Sequence, residues 1–278
     1  MEKIIFITSV VVGTIAVVIV SSIVRATMRR ARTVKRLREA EWSRPHKKMN
    51  HDIVASLPRQ VQAFLEHVIN PGVEQARFVT VKQHGQWRSL AQPEWSELRA
   101  MAYYSGTIPG FVWHAKMKNS AFSWQDAQLL YGSGQASGRV KFLGMITMFD
   151  PDGQEVASAL LARILMECIW FPTSLIPGGQ LRWEAVNGNS ARAILSDHGT
   201  TVSCVYTFND NNEVTKIVTQ DKFRDAETSF EREQCTMYCS DYKQFGGVRI
   251  PTKVRLEWNL EEQDFEYARI EIEWADHE

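Results

Sequence analysis

The chain has 278 residues, and its 32 Lys and Arg residues are balanced by 32 Asp and Glu residues. The charges are segregated. Residues 25–48 hold ten Lys and Arg and two Glu, a balance of +8, whereas residues 49–278 hold 21 Lys and Arg and 29 Asp and Glu, a balance of −8. Because phosphate binding requires a basic face on the folded domain, the acidic body argues against nucleic acid as a partner. The four cysteines lack the spacing of a zinc site and are expected to be buried in a reducing compartment, without disulfides.

The N-terminal stretch from Ile4 to Val24 holds 21 residues without one charged side chain. At about 1.5 Å per residue, a helix of this length reaches roughly 30 Å, the thickness of a bilayer's hydrocarbon core. A cleaved signal peptide is the alternative, but its apolar run is only about 7–15 residues long, and Ser21-Ser22-Ile23 is a poor cleavage site. The stretch therefore predicts a retained transmembrane anchor over residues 1–24.

The basic residues after this stretch predict its orientation. Seven follow it by position 38, and one lysine precedes it. Flanks rich in Lys and Arg remain cytoplasmic, so we expect a single-pass protein of the inner membrane with its soluble domain on the cytoplasmic side. Residues 25–50 are expected to form a basic juxtamembrane helix, reaching Trp42, and then a linker. Its cations favour membrane lipids as partners.

Residues 51–278 are predicted to form one domain that opens with a short amphipathic helix. Its apolar residues repeat at i, i+3, i+4 and i+7 between Pro58 and Pro71-Gly72, and they are Val61, Phe64, Leu65 and Val68. Most of the remaining sequence alternates between apolar and polar residues, as in Phe111, Trp113, Ala115 and Met117. Turn signals such as Asn187-Gly188 and Gly246-Gly247 separate these segments. The pattern predicts an antiparallel meander with one packed face and one wet face.

A second helix interrupts the strands. Leu161, Ile164, Leu165 and Cys168 form its apolar stripe, and Pro172 ends it. We expect this helix to cover the concave face of the sheet. The predicted fold class is a single N-terminal transmembrane helix plus an α+β domain, in which a curved antiparallel β-sheet, an open half-barrel, wraps one or two helices. The groove between sheet and helix is where an apolar ligand would bind.

Several segments carry a family resemblance. They are Leu57-Pro58 with the first helix, Pro109-Gly110-Phe111-Val112-Trp113, Glu167-Cys168-Ile169-Trp170-Phe171-Pro172, Leu181-Arg182-Trp183-Glu184-Ala185, and Ser240-Asp241-Tyr242 with the segment 246–251. In this order they resemble an uncharacterised bacterial family, a domain of unknown function, over roughly residues 55–275. The order of strands and helices is also similar to the half-barrel of lipoprotein carriers, which ferry acylated proteins across the periplasm. The resemblance implies no catalytic residues, and an uncleaved anchor with a cytoplasmic domain departs from those carriers.

Enzyme signatures are weak in this sequence. Gly132-Ser133-Gly134 with Gly138 lacks the Lys-Ser/Thr of a phosphate-binding loop and is interpreted as a hairpin. The turn at residues 150–153 lacks the remaining ligands of a calcium loop. We therefore predict no catalytic residue, no metal and no cofactor, and we leave open whether the protein is an enzyme, leaning against it.

Glu167 is the most informative single residue. It lies one helical turn after Arg163, so an intrahelical ion pair is the simplest interpretation. The functional alternative is a carboxylate that lines the groove among aromatic side chains, although such aromatics are more often core. The candidate ligand-binding residues are Trp113, Glu167, Trp170, Phe171 and Trp183.

Three functions remain open from the sequence. The first is a membrane-anchored module that binds a lipid or another apolar ligand in the half-barrel groove. The alternative is a non-catalytic interaction or scaffold domain of a membrane complex, because a filled core leaves only its surface for function. The third is an enzyme that acts on a membrane-near substrate.

Overall fold

The computed structural model describes residues 2–45, 51–120, 123–142, 146–149, 152–226 and 229–278. Its main element is one sheet of 13 strands, in which every pair of neighbours is antiparallel. The helices are α1 (Glu2–Trp42), α2 (His51–Ala55), α3 (Arg59–Val68) and α4 (Gln154–Glu167). The strands are β1 (Phe78–Trp87), β2 (Ser96–Ser105), β3 (Gly110–Ser120), β4 (Ser123–Gly132), β5 (Gln135–Phe142), β6 (Ile146–Phe149), β7 (Leu181–Asn187), β8 (Ser190–Asp197), β9 (Thr200–Phe208), β10 (Val214–Ala226), β11 (Ser229–Phe245), β12 (Val248–Asn259) and β13 (Asp264–His277).

The sheet consists of two meanders, β1 to β6 and β7 to β13, which are joined through the first and the last strand of the chain. Its order is β6-β5-β4-β3-β2-β1-β13-β12-β11-β10-β9-β8-β7, so β1 pairs with β13 at the centre. The chain passes from the β6 edge to the β7 edge through α4 and two 3-10 turns, Cys168–Trp170 and Pro172–Leu175. α4 therefore lies between the two halves of the sheet.

The inner face of the sheet, defined here as the face toward α3 and α4, holds the core. In β2 the alternate residues Leu98, Ala100, Ala102 and Tyr104 are buried, whereas Arg99 is exposed on the other face. α4 is buried on most of its circumference because it lies against strands β4, β5, β8, β9 and β10. α3 buries the four apolar residues that the sequence predicted, so that prediction is confirmed. The four cysteines are free and buried, as expected.

The outer face of the sheet is the one on which the C-terminal part of α1 lies. The α1 residues that turn toward the sheet are at least partly buried and recur at helical spacing; they are Ala26, Arg30, Thr33, Val34, Leu37 and Glu41. Leu37 approaches the backbone of β3 closely. A Cβ atom on Gly110 would come within 2.8 Å of the Leu37 Cδ1 atom. The helix ends at Trp42, where its composition predicted.

The prediction of an N-terminal transmembrane helix is not supported and is corrected here. Among the described residues, no helix is both long and apolar enough to span a membrane. Most side chains of the predicted span, Ile4 to Val24, lie outside the described residues, as do residues 46–50 of the predicted linker. The absence of charge over 21 residues does not determine where a helix ends. Here the stretch is the first part of one 41-residue helix whose last part packs on the sheet. The orientation remains a prediction.

The predicted fold class is therefore wrong as a whole, although its antiparallel meander is present. The expected architecture was a transmembrane helix and an α+β half-barrel. The observed one is a single large antiparallel sheet with few helices, of which α3 and α4 cover the inner face and α1 covers part of the outer face. The difference arises because the basic segment after residue 24 has a face that fits the sheet.

Candidate functional site

The five predicted ligand-binding residues lie in the interior of the fold. Trp113, Glu167, Trp170 and Phe171 are buried, and Trp183 is partly buried against the core. Glu167 accepts hydrogen bonds from Arg163 Nε and from the Tyr104 hydroxyl, both at 2.8 Å. The ion pair predicted from helical spacing is thus present, and it is buried.

Arg163 brings two of the predicted residues together. Its guanidinium group lies 4.5 Å from the ring centre of Trp113 while it pairs with Glu167. Phe171 joins the same cluster through Tyr104, with ring centres 4.5 Å apart. Burial, together with the charge of Glu167, raises the pKa of Tyr104 well above its ordinary value, so this hydroxyl remains a donor.

Trp183 and Trp170 belong to other parts of the core. The indole of Trp183 donates to the Leu175 carbonyl at 2.9 Å and meets Tyr206 edge-on. Trp170 is fully buried; its carbonyl accepts a hydrogen bond from His277 Nε2 at 2.8 Å, and its indole nitrogen has no partner among the described residues. The structure does not gather all five residues around one space.

The interior offers little room for a ligand. Within the described residues, the space beside the inner cluster is a cavity of about 50 Å³, lined by Phe171, Cys168, Ile164 and the segment 105–109 among others. Such a volume holds a few water molecules, not an acyl chain. Burial also raises the pKa of the Cys168 thiol to about 12, which keeps it protonated and unreactive. The predicted groove is filled by its own side chains, and a ligand-binding role for these five residues remains a prediction that needs the interior to open.

A much larger cavity lies between α1 and the outer face of the sheet. It has a volume of about 1190 Å³. One wall is the segment 25–30 of α1, and the other walls are the outer sides of β1 to β5 with Glu273 of β13. Because the outer-face residues of a strand alternate with those of the core, the same sequence pattern that builds the core also supplies the polar residues of this cavity.

Beyond this cavity, the C-terminal end of α1 is held on the sheet by hydrogen bonds and a ring contact. The buried carboxylate of Glu41 accepts hydrogen bonds from the hydroxyls of Ser105 and Thr107. Arg77 donates to the main-chain carbonyl of Glu41 at 2.9 Å and stacks on Trp42 at 5.0 Å. Arg77 thus satisfies one of the free carbonyl groups at the helix end, and together these contacts hold α1 in place over the sheet.

The charged side chains of the outer cavity are mostly cationic. Its walls include eight Lys and Arg residues and three acidic residues. Each acid is paired within the wall: Asp126 with Arg30 at 3.1 Å, Glu273 with Lys82 at 2.8 Å, and Glu97 with Arg99 at 2.8 Å. Of the other wall cations, Arg25, Arg29, Lys116 and Lys141 have no carboxylate partner among the described residues.

His114 is the most unusual residue of this wall. It lies on β3 and meets the ring of Tyr103 edge-on, and among the described residues neither of its buried ring nitrogens has a hydrogen-bond partner. Burial, reinforced by the charge of Arg30, lowers the pKa of His114 to about 4. The ring is therefore neutral at pH 7 and offers one N–H donor and one acceptor.

Sequence reasoning did not find this site. The basic residues after position 24 were assigned to a membrane surface, and the outer residues of β3, His114 and Lys116, were read only as the wet face of a strand. The helical repeat from Ala26 to Glu41 was the available signal. Among the described residues, no group of three or more His, Cys, Asp or Glu side chains could hold a metal ion.

Residues 47–270 match the model of a family described as "Family of unknown function (DUF6544)". The chain belongs to this family. The resemblance to an uncharacterised family, expected over residues 55–275, is thereby confirmed. No curated protein matches the chain.

Solved structures with a similar fold include a proposed outer membrane lipoprotein-sorting protein domain from Vibrio parahaemolyticus, with 8% identity and a TM-score of 0.44, covering 81% of this chain and 93% of that one. A DUF1329 family protein from Desulfovibrio piger has 9% identity and a TM-score of 0.42, covering 79% and 92%. A LolA superfamily protein from Nitrosomonas europaea has 12% identity and a TM-score of 0.38, covering 78% and 93%. At these identities and TM-scores, none of the three carries an argument about this chain.

Proposed function

We propose that the protein is a non-catalytic binding protein for a lipid or a similar amphiphile, held in the cavity between α1 and the outer face of the sheet. The observation that carries the proposal is the size of this cavity. Ligand pockets usually measure about 300–1,000 Å³. The volume of this cavity is about 1190 Å³, so it is large enough for a drug-sized or acyl-chain ligand. Because the interior is filled by side chains, the outer cavity is a better candidate for the ligand site than the half-barrel groove that the sequence predicted.

The walls of the cavity suit an amphiphilic ligand, which has an apolar part and a polar part. Ala26, Met101 and the ring of Trp124 contribute apolar surface, while the cations of α1 and β3 contribute charge. Apolar walls with a few convergent polar groups are the usual composition of a small-molecule site. The described walls hold no paired acid and base with a neighbouring nucleophile, so binding is a better account of this arrangement than chemistry.

Native mass spectrometry of the gently purified full chain tests the proposal. We expect a bound species with the mass of a lipid. Ala26→Phe, which places a ring in the cavity, should remove that species, whereas Ala31→Phe on the exposed side of the same helix should retain it. A wild-type chain without a bound lipid, or equal loading of both variants, would contradict the proposal.

The second candidate function is an interaction domain, and one observation favours it. α1 exposes the apolar side chains of Val17, Val24 and Met28, which are 66%, 44% and 53% accessible. Exposed apolar residues at helical spacing can form a contact with another protein. A stoichiometric protein in the same mass spectrum, in place of a lipid, would support this function.

A further inference from the structure

The cavity under α1 has a charge opposite to that of the body around it. Its walls carry eight cationic and three acidic side chains, whereas residues 49–278 as a whole carry 21 Lys and Arg and 29 Asp and Glu. Five of the eight cations come from the sheet strands of this acidic body, and three come from α1. The positive field is thus concentrated where the helix and the sheet face each other, and low-dielectric walls strengthen such a field.

The acids of the cavity cannot neutralise these cations. Asp126, Glu97 and Glu273 each already pair with one wall cation. Among the described residues, no carboxylate pairs with Arg25, Arg29, Lys116 or Lys141. Like charges held together around one space repel each other, and an anion that enters the space relieves that repulsion.

Lys116 is held in position for this role. Its ammonium group lies 4.6 Å from the ring centre of Trp124. The indole nitrogen of Trp124 donates to Asp126 at 3.2 Å, and Asp126 pairs with Arg30 of α1. These contacts connect β3, β4 and α1. They orient the ammonium group of Lys116 over an aromatic ring, which does not neutralise its charge as a carboxylate would.

His114 adds a neutral donor to the cations. Its ring nitrogens are buried and have no partner among the described residues, which is costly unless a ligand or water satisfies them. Lys116 lies two residues away on the same outer face of β3, and the charge of Arg30 of α1 also acts on the ring. A buried unpaired donor beside several cations is an arrangement that suits an anionic oxygen.

We propose that the polar end of the ligand is a multiply charged anion of the phosphate type, bound by Arg29 and Lys116 with His114 beside them. This inference rests on the proposed function, since it names the headgroup of the amphiphile. Several cations without carboxylate partners favour a phosphate, with its several anionic oxygens, over a single carboxylate. The apolar remainder of the ligand lies toward Ala26 and Met101.

The test uses ligands that share one alkyl chain. Monododecyl phosphate, dodecanoate and neutral monododecanoylglycerol are titrated into the full chain and followed by native mass spectrometry, with inorganic phosphate as a competitor. We expect dodecyl phosphate to bind at least tenfold more tightly than the neutral lipid. Its affinity should fall steeply with salt, because ionic contacts are screened.

Charge variants locate the headgroup. Lys116→Gln and Arg29→Gln should each weaken dodecyl phosphate about fivefold, as expected for one cation near an anion. The affinity for the neutral lipid should not change. Lys118→Gln, two residues along the same outer face, and Arg36→Gln, on the exposed side of α1, are the controls; neither residue lines the cavity. Both controls should bind like the wild type.

The outcomes separate the two proposals. Equal binding of phosphate and neutral lipids, with no effect of Lys116→Gln, would overturn the anionic headgroup and leave the lipid site standing. Failure of every amphiphile to bind would overturn both proposals. Inorganic phosphate that binds as tightly as dodecyl phosphate would support the anion site but overturn its assignment to a lipid headgroup.

Discussion

Replacing Trp170 tests whether the interior of the fold is a packed core. The side chain is 0% exposed and is the largest of the fully buried side chains. Trp→Ala substitutions in cores cost about 3–5 kcal/mol, because burial is lost and a cavity remains. Trp170→Ala should therefore lower the melting temperature by about 6–20 °C, given about 2–4 °C per kcal/mol for a domain of this size.

A second substitution separates packing from polarity. The indole nitrogen of Trp170 is buried and has no partner in the part of the chain that the structure describes, and such a group costs about 1–3 kcal/mol. Trp170→Phe keeps most of the ring and removes this nitrogen, so it should lose less than about 2 kcal/mol. Trp274→Ala is the control, because Trp274 is 46% exposed and should lose less than about 1 kcal/mol.

The assay is urea unfolding of the full chain, followed by circular dichroism, with the binding of an apolar probe measured on the same variants. A stability loss of about 3–5 kcal/mol in Trp170→Ala, with probe binding unchanged, is the expected result. Loss of probe binding with a stability change below about 1 kcal/mol would show an open groove and refute a filled interior.

Three further predictions concern the Arg163–Glu167 ion pair, the packing of α1 on the sheet, and the neutral ring of His114. Glu167→Gln leaves the Arg163 guanidinium group buried without its carboxylate, and urea unfolding should show a loss of about 2–4 kcal/mol. In Gly110→Val the new Cβ atom would lie 2.8 Å from Leu37 Cδ1, so the side chain would push α1 away from the sheet and make it more accessible to trypsin. Gly188→Ala, whose new Cβ atom has no atom within 4 Å, should not change the cleavage. The pKa of His114 is lowered to about 4, so the unfolded state binds its proton first as the pH falls. The stability contributed by the neutral ring is complete above about pH 6.5 and is lost as the pH falls toward 4. The loss is about 2 kcal/mol after allowance for the partial exposure of the ring, and His114→Gln should lack this component in urea titrations at several pH values.

The local elements of the fold could be predicted from sequence because their signals are local. Val61, Phe64, Leu65 and Val68 lie on one face of α3 and are buried as their spacing indicates. Alternation along β3 identified Trp113 and its neighbours as inner residues. The Arg163–Glu167 ion pair also followed from helical spacing.

The partners of these residues could not be predicted, because they come from distant parts of the chain. The Tyr104 hydroxyl, which completes the Glu167 site, is 63 residues away in sequence. Whether Phe171 lines an open groove or fills it depends on how closely the side chains of both meanders meet, and alternation carries no information about that distance.

The docking of α1 was missed for a different reason. Charge counts assigned residues 25–38 to a membrane surface, and they obscured the stripe that includes Thr33, Val34 and Leu37. The described hydrogen bonds of the Glu41 carboxylate come from Ser105 and Thr107, which are 64 and 66 residues away in sequence. The binding cavity follows from this docking, so it was invisible for the same reason.

Mapping a photoactivatable amphiphile tests the central claim most directly. A dodecyl phosphate carrying a diazirine on its alkyl chain is bound to the full chain and activated, and the labelled peptides are identified. We expect labels on the α1 segment 25–30 and on the outer residues of β2 to β4, near Met101. Labels on α4 or around Cys168 and Phe171 would place the ligand in the interior and contradict a site between α1 and the sheet.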